Sequence, residues 1–328
     1  MPPFTETLIR PALESRRHKL EHALTAAPGR GELLELLDQV DAALHRLDDG
    51  TYGLCAVCHE AVEPERLIAD PLECFCLDHL TREQQRALQD DLETAARVQR
   101  SLLPPESLKA GPWQLHTHWD PAGPVSGDFC DILRPEDPAG GLLVLLGDVA
   151  GKGVSAALLM AHLHATFRSL ATGGLSVADM VTRAGRVFRE STLAHTFATL
   201  VCVRIADDGT GEVCNAGHWP PLLLGAAGVT AIDPTGLPVG TFLSSTYTST
   251  RIRLDPGDTL LLYTDGVIEA RDGGGSEYGS DRLAALLDGC RGASSDAVAA
   301  AVAADVAAHR GAAPRTDDLT LMVVRREV

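Results

Sequence analysis

The chain reads as an α+β protein with a helical first third, a short cysteine-bearing segment, and a strand-rich remainder carrying paired helices. Three observations predict this. Apolar residues recur at helical spacing up to about residue 103. Two pairs of soft metal ligands, each with a two-residue gap, then punctuate positions 55 to 79. From Gly111 onward, short apolar runs bounded by Gly, Pro and Asp replace the helical pattern.

Glu6–Ala26 and Glu32–Asp49 carry the first stripes: Leu13, Leu20 and Leu24, then Leu33, Leu37, Val40, Leu44 and Leu47. Ala27-Pro-Gly-Arg-Gly31 between them predicts a turn, and the pair a helical hairpin closed by Gly50 and Gly53. A third helix is expected from Thr81 to Leu103, stopped by Pro104-Pro105. Its stripe of Leu88, Leu92, Ala95, Gln99 and Leu102 has coiled-coil spacing. That suits a linker helix packed on its own domain, or one that joins two copies as a homodimer. Beyond it, strands are expected at Trp113–Trp119, Asp128–Leu133, Leu142–Asp148, Ala198–Ala206, Gly211–Asn215, Thr250–Leu254, Thr259–Thr264 and Leu319–Arg325. Helices are expected at Val154–Ala171, Val177–Leu193, Asp281–Leu287 and Asp296–His309. Strand runs interrupted by helix pairs predict two sheets packed face to face with helices outside.

Cys55-Ala-Val-Cys58 and, after seventeen residues, Cys76-Leu-Asp-His79 offer four ligands in two turns. That pattern closes a tetrahedron around one Zn²⁺ and leaves no open position, so the expected zinc is structural. Cys74 is a spare thiol; oxidation of the cluster with its help is one expected route to redox sensing.

Four acidic motifs mark the strand-rich part: Ser126-Gly-Asp128, Gly147-Asp148-Val149, Thr264-Asp265-Gly266 and Thr316-Asp317-Asp318. Each is expected to follow a buried strand. An aspartate buried alone costs on the order of several kcal/mol, so the repetition is most simply explained by carboxylates converging on hard cations. An all-oxygen donor set selects Mg²⁺ or Mn²⁺ over Zn²⁺.

Composition narrows the partners. The chain is 45% hydrophobic and 22% charged, as in ordinary globular proteins. A formal charge of −17 opposes binding to nucleic acid and to anionic membrane surfaces. No apolar run approaches the length of a membrane span, and Met1 to Arg10 lacks a signal-peptide core, which predicts a cytoplasmic protein.

Two resemblances emerge from these motifs. Ala43 to Cys58, with Gly50-Thr-Tyr52-Gly53, and then Arg66-Leu67-Ile-Ala69-Asp-Pro71 before Cys76, resembles the DksA/TraR-type zinc finger, with His79 standing where that family has a fourth Cys. From about Ala95 to Arg326 the chain resembles the SpoIIE/RsbU-type branch of the PPM (PP2C-like) Ser/Thr protein phosphatases. The carriers are Ala96-Arg-Val98-Gln99, Pro121 to Phe129, Gly147 to Gly153, Asn215-Ala-Gly-His218, Gly236 to Gly240, Tyr263 to Ala270 and Asp317 to Thr320.

The second resemblance implies an αββα sandwich and a centre of two Mn²⁺ or Mg²⁺ ions. Asp148 and the Val149 carbonyl would hold the first, with Asp128 holding it directly or through water, and Asp148, Asp265 and Asp317 the second. The ions would activate water for attack on a phosphoserine or phosphothreonine. Asp131, Lys152, His218 and Asp318 are candidates for supporting contacts. Ser126 replaces the usual Gly, which is tolerable if its backbone angle allows it.

The implied organisation is a hairpin (1–50), a finger (51–80), a linker helix (81–105) and a phosphatase domain (106–328). The implied substrate is a phosphorylated STAS-domain anti-sigma-factor antagonist in a partner-switching pathway, with the zinc module regulating the enzyme. The competing reading is a DksA-like regulator that binds RNA polymerase and keeps the phosphatase fold as a scaffold.

Overall fold

The structure is a computed structural model and describes residues 3–26, 30–79, 82–134, 141–193, 196–241 and 246–327. The chain divides into two compact units between Asp91 and Leu92, inside a single helix.

In the first unit, α1 (Pro3–Ala26) packs on α2 (Arg30–Asp48); residues 27–29 of the expected turn lie outside the described residues. Ile9, Leu13 and Leu20 meet Val40, Ala43 and Leu47, and the same core takes in Tyr52, Cys55, Val62, Leu67 and Cys76. The hairpin and the cysteine segment thus share one interior. A short helix that periodicity does not reveal, α3 (Pro64–Ala69), lies in that segment. Its Arg66 donates to the Phe75 carbonyl at 2.8 Å, and Tyr52 Oη donates to the Pro71 carbonyl at 2.8 Å. Helix α4 (Arg82–Leu102) follows and crosses the boundary between the units.

The second unit is the expected sandwich. One sheet has the order β1-β2-β11-β10-β7-β8, from β1 (Ser107–Ala110), β2 (Trp113–Asp120), β7 (Leu222–Gly225), β8 (Gly228–Ala231), β10 (Thr259–Tyr263) and β11 (Leu319–Arg326). The other runs β3-β4-β5-β6-β9, from β3 (Asp128–Leu133), β4 (Leu142–Val149), β5 (Ala198–Ile205), β6 (Thr210–Ala216) and β9 (Thr250–Arg253). Every pairing within the sheets is antiparallel. β1, β7 and β8 span four residues each, too few for a legible alternation.

Strand parity builds the layers. Leu142, Val144 and Leu146 of β4 point between the sheets, against Leu260, Leu262, Met322 and Val324. Leu143 and Leu145 point the other way, onto Met160, Phe167, Met180 and Phe188 of α5 (Gly153–Ala171) and α6 (Val177–Ser191). Leu261, Leu321 and Val323 likewise cover α8 (Ser280–Gly289) and α9 (Ser295–Arg310) through Leu283, Leu287, Val298 and Val302.

The acidic motifs do not all follow strands. Asp148 is the penultimate residue of β4, and Asp265 follows β10 as the first residue of the one-turn α7 (Asp265–Ile268). Asp128, however, opens β3, and Asp317 precedes β11. Antiparallel pairing is the cause: one end of such a sandwich collects the exits of some strands and the entrances of their neighbours. Asp128 and Asp148 are direct cross-strand partners, as are Asp148 and Thr199.

Candidate active site and zinc site

Asp148, Asp265, Asp317 and Asp318 line one cavity of about 300 Å³ at that end of the sandwich, together with Lys152, Phe197, Thr199, His218 and Trp219. Asp148 shares the inward parity of Leu142, Val144 and Leu146, so its carboxylate continues the line of the inter-sheet core out to solvent.

Asp128 stands behind this wall, 1% exposed. Its Oδ2 accepts from Thr264 Oγ1 at 2.9 Å and from Thr320 Oγ1 at 2.5 Å. Thr320 lies on the inward face of β11 and Thr264 directly follows β10, both in the opposite sheet's half of the sandwich, so this carboxylate ties the two layers together. Asp318 organises the loop in front: it accepts from Ala122 N (2.7 Å), Ser126 Oγ (2.7 Å) and Gly127 N (3.1 Å). Ser126 has no positive φ, and its hydroxyl also accepts from Asp128 N at 3.0 Å. The serine is therefore used, not merely tolerated. Gly266 is required by space, since a Cβ there would lie 1.9 Å from the Asp318 carbonyl oxygen. Only glycine lets the Asp265 turn pass the Asp317-Asp318 segment this closely.

Burial pushes Asp148 up to about 7, helped by Asp265, Asp317 and Asp318 and opposed by Lys152. Burial, then Asp317 and Glu269, raises Asp265 to about 6. Burial and the Asp148 charge hold Asp128 well above the ordinary carboxylate range. An unfolded Asp titrates near ~3.9, so the fold favours the protonated forms. That contribution is complete below about pH 4 and is lost as pH rises through about 6 to 7. Above it the cup holds uncompensated negative charge, which a divalent cation relieves. Mn²⁺ is accordingly expected to raise the melting temperature more at pH 8 than at pH 5.5 in differential scanning fluorimetry; equal shifts would contradict the cup.

The residues fit a pair of hard ions. A Cβ on Gly127 would lie 2.9 Å from the Val149 carbonyl oxygen and 3.2 Å from Asp148 Oδ1, so the glycine keeps open a space on which two oxygen donors converge. The remaining cavity carboxylates are oxygen donors as well.

Two supporting candidates take other roles. Asp131 is not at the cavity: its carboxylate pairs with Arg168 Nε (2.8 Å) and Nη2 (2.9 Å) and with His164 Nε2 (3.2 Å) on α5. It lies three positions after Asp128 on β3, an odd step, so the strand turns it to the opposite face. Although burial opposes it, the bonds from His164 and Arg168 hold its carboxyl below the usual range. Asp131→Asn is expected to cost about 2–3 kcal/mol of stability, because Arg168 is half-exposed and recovers water. Metal affinity should not change, a split that melting and calorimetry together would read.

His218 has both ring nitrogens engaged. Nε2 lies 3.1 Å from the Tyr263 carbonyl, which only accepts, so Nε2 carries the proton and Nδ1 accepts from Thr199 Oγ1 at 2.8 Å. Burial brings its pKa down to about 4, against the Tyr263 carbonyl. It is a neutral brace between β5 and β10. Lys152 Nζ reaches the Thr316 carbonyl (2.6 Å) and Asp317 Oδ2 (3.1 Å) at the cavity mouth. Sequence reading missed Thr264, Thr320, Phe197 and Trp219. The inward parity of Thr320 was the available signal.

In the first unit the ligand atoms of Cys55, Cys58, Cys76 and His79 all lie within 4.8 Å of one another; no other described residues form such a cluster. Cys58 and Cys76 sulfurs are 3.7 Å apart, close to the edge of about 3.8 Å of a tetrahedron with Zn–S bonds of about 2.3 Å. Burial raises the Cys55 thiol, but backbone N–H groups of Cys58, Cys76 and Val57 outweigh it and leave the thiol at about 6. The donor set and spacing fit one Zn²⁺, with Cys74 outside it.

Layer order, strand-end carboxylates and the oxygen-only cup define the class, a PPM-type, PP2C-like phosphatase domain. The chain belongs to the SpoIIE family, whose description, Stage II sporulation protein E (SpoIIE), matches residues 138–327. It is similar to Protein IcfG of Synechocystis sp. (26% identity over 72% of this chain and 41% of that one). It is also similar to Phosphoserine phosphatase RsbP of Bacillus subtilis (28% over 55% and 45%). The chain spans less than half the length of either relative. Among solved structures, the SiaA-PP2C domain of Pseudomonas aeruginosa shares the fold with a TM-score of 0.65 at 24% identity, over 74% of this chain and 98% of that one. No helix among the described residues is long and apolar enough to cross a membrane.

Proposed function

We propose that this chain is a divalent-metal-dependent phosphatase that hydrolyses phosphoserine or phosphothreonine on a protein. The supporting observation is the convergence of Asp148, Asp265 and Asp317, from three distant segments, on one cavity in which burial and neighbouring carboxylates disfavour the charged forms of Asp148 and Asp265. The Asp148 carboxylate and Val149 carbonyl would hold a first Mn²⁺ or Mg²⁺, and Asp148, Asp265 and Asp317 a second. Bound there, the pair lowers the pKa of a water molecule and takes up the charge of the phosphoryl oxygens.

The chain's own groups do the rest. Asp128, held by its two threonines, fixes β3 against β4 from behind Asp148. His218, braced between Thr199 and Tyr263, fixes the entry to Asp265. Lys152 presents a cation at the cavity mouth, beside the position of a phosphate dianion. Water attacks phosphorus in line, the serine oxygen leaves and takes a proton, and the products are a free hydroxyl and inorganic phosphate.

The reading extends to a phosphorylated STAS-domain antagonist as substrate, one structural Zn²⁺ at Cys55, Cys58, Cys76 and His79, and regulation through that zinc module. The name of RsbP supports the reaction type. Mn²⁺-dependent phosphate release from a phosphorylated STAS protein is expected to exceed release from a phosphoserine peptide of the same sequence. No release from either removes the reading, and equal release removes the STAS assignment.

A further inference from the structure

Helix α4 carries one polar side chain where its apolar stripe calls for a leucine. Gln99 is 4% exposed. Its Nε2 donates to the Ser126 carbonyl at 2.6 Å, and its Oε1 accepts from Ser126 N at 3.0 Å. One carboxamide thus answers both backbone groups of a single residue, as a neighbouring strand would. A buried amide is retained only when its donors and acceptors are met, and here it is met by the loop that enters the cup. Of the two readings its spacing allows, Gln99 itself follows the first and faces its own domain.

From Ser126 every contact leads into the cup. Its hydroxyl donates to Asp318 Oδ2 (2.7 Å) and accepts from Asp128 N (3.0 Å). The next residue, Gly127, donates to Asp318 Oδ2 at 3.1 Å, and its carbonyl accepts from Val149 N at 3.3 Å. Gly127 is also the residue whose missing Cβ leaves room beside the Val149 carbonyl and Asp148 Oδ1. A shift of the Ser126 backbone therefore moves the wall of the first ion's space.

We infer that Gln99 is a positioning residue that makes the metal cup conditional on the docking of α4, by clamping the Ser126 backbone on which Asp318, Gly127 and Asp128 depend. It touches neither substrate nor ion. The inference rests on the metal-dependent phosphatase reading for its catalytic consequence, but the clamp has a readout of its own.

The test uses the full chain with Gln99→Met, nearly isosteric and unable to form either bond, and Gln99→Glu, which keeps the acceptor but sets an oxygen against the Ser126 carbonyl. Amide hydrogen exchange at Gly127 and Asp128, whose N–H groups bond to Asp318 Oδ2 and Ser126 Oγ and not to Gln99, is expected to speed up in both. Mn²⁺ affinity by titration calorimetry should weaken about tenfold, the usual scale for losing a group that orients a metal ligand. kcat should fall about 10- to 100-fold with KM little changed, as for a small misplacement of reacting groups. Unchanged exchange at Gly127 and Asp128, with or without a lower melting temperature, overturns the inference. If the wild-type chain takes up no Mn²⁺, the phosphatase reading fails, and the exchange result alone decides the clamp.

Discussion

Asp148→Asn is expected to lower kcat/KM on a phosphoserine protein by at least about 10³-fold, with little loss of stability. In the proposed centre this carboxylate would serve both ions, so its replacement is expected to weaken the whole pair. Charge stabilisation by such ions amounts to several kcal/mol, and each ~1.4 kcal/mol is a factor of ten in rate. The stability side has the opposite sign. With burial and three neighbouring carboxylates holding its pKa at about 7, Asp148 is costly to ionise in the fold, and the neutral amide removes that cost. The variant should melt no lower than wild type at pH 8 without added metal, and should lose most of the Mn²⁺-induced rise. Phosphate release and melting curves on one preparation check both halves, and wild-type turnover in the variant would contradict the assignment.

Cys76→Ser should unfold the first unit. Cys55 and Cys76 belong to the core that holds Leu13, Val40, Tyr52 and Leu67, so two of the proposed ligands are also packing residues of a small interior. For peptides of this kind zinc supplies about 10–16 kcal/mol of apparent folding free energy. A core this size offers far less surplus. The expected result is a fall from one bound zinc to none, with rapid proteolysis within residues 1–91. Cys74→Ser, outside the cluster, should keep both zinc and protease resistance. A Cys76→Ser protein that retains one zinc would contradict the ligand set.

Much of this was legible in the chain because the signals were local. The helical stripes of α1 and α2, the paired two-residue gaps at Cys55 and Cys76, and the long apolar runs of β4 and β10 each announce themselves within a few residues. What escaped depends on parity and on distance. Asp131 shares a motif with Asp128, but an odd separation on a strand sends it to α5 and Arg168. Thr264 and Thr320 look like ordinary strand threonines until β10 and β11 pair and both hydroxyls meet Asp128. Gln99 fits a coiled-coil stripe by spacing, and only the fold shows that its partner is the backbone of Ser126. His218 sits in a suggestive motif, yet its nitrogens are already spoken for by Thr199 and Tyr263.

The central claim is that widely separated carboxylates share one pair of divalent ions. Anomalous scattering from crystals grown with Mn²⁺, collected at the manganese and zinc edges, tests it most directly. The expected maps show two manganese peaks about 3.5–4 Å apart among Asp148, the Val149 carbonyl, Asp265 and Asp317, and a single zinc peak among Cys55, Cys58, Cys76 and His79. Manganese peaks elsewhere, or none in that cavity with the ion in excess, would contradict the account.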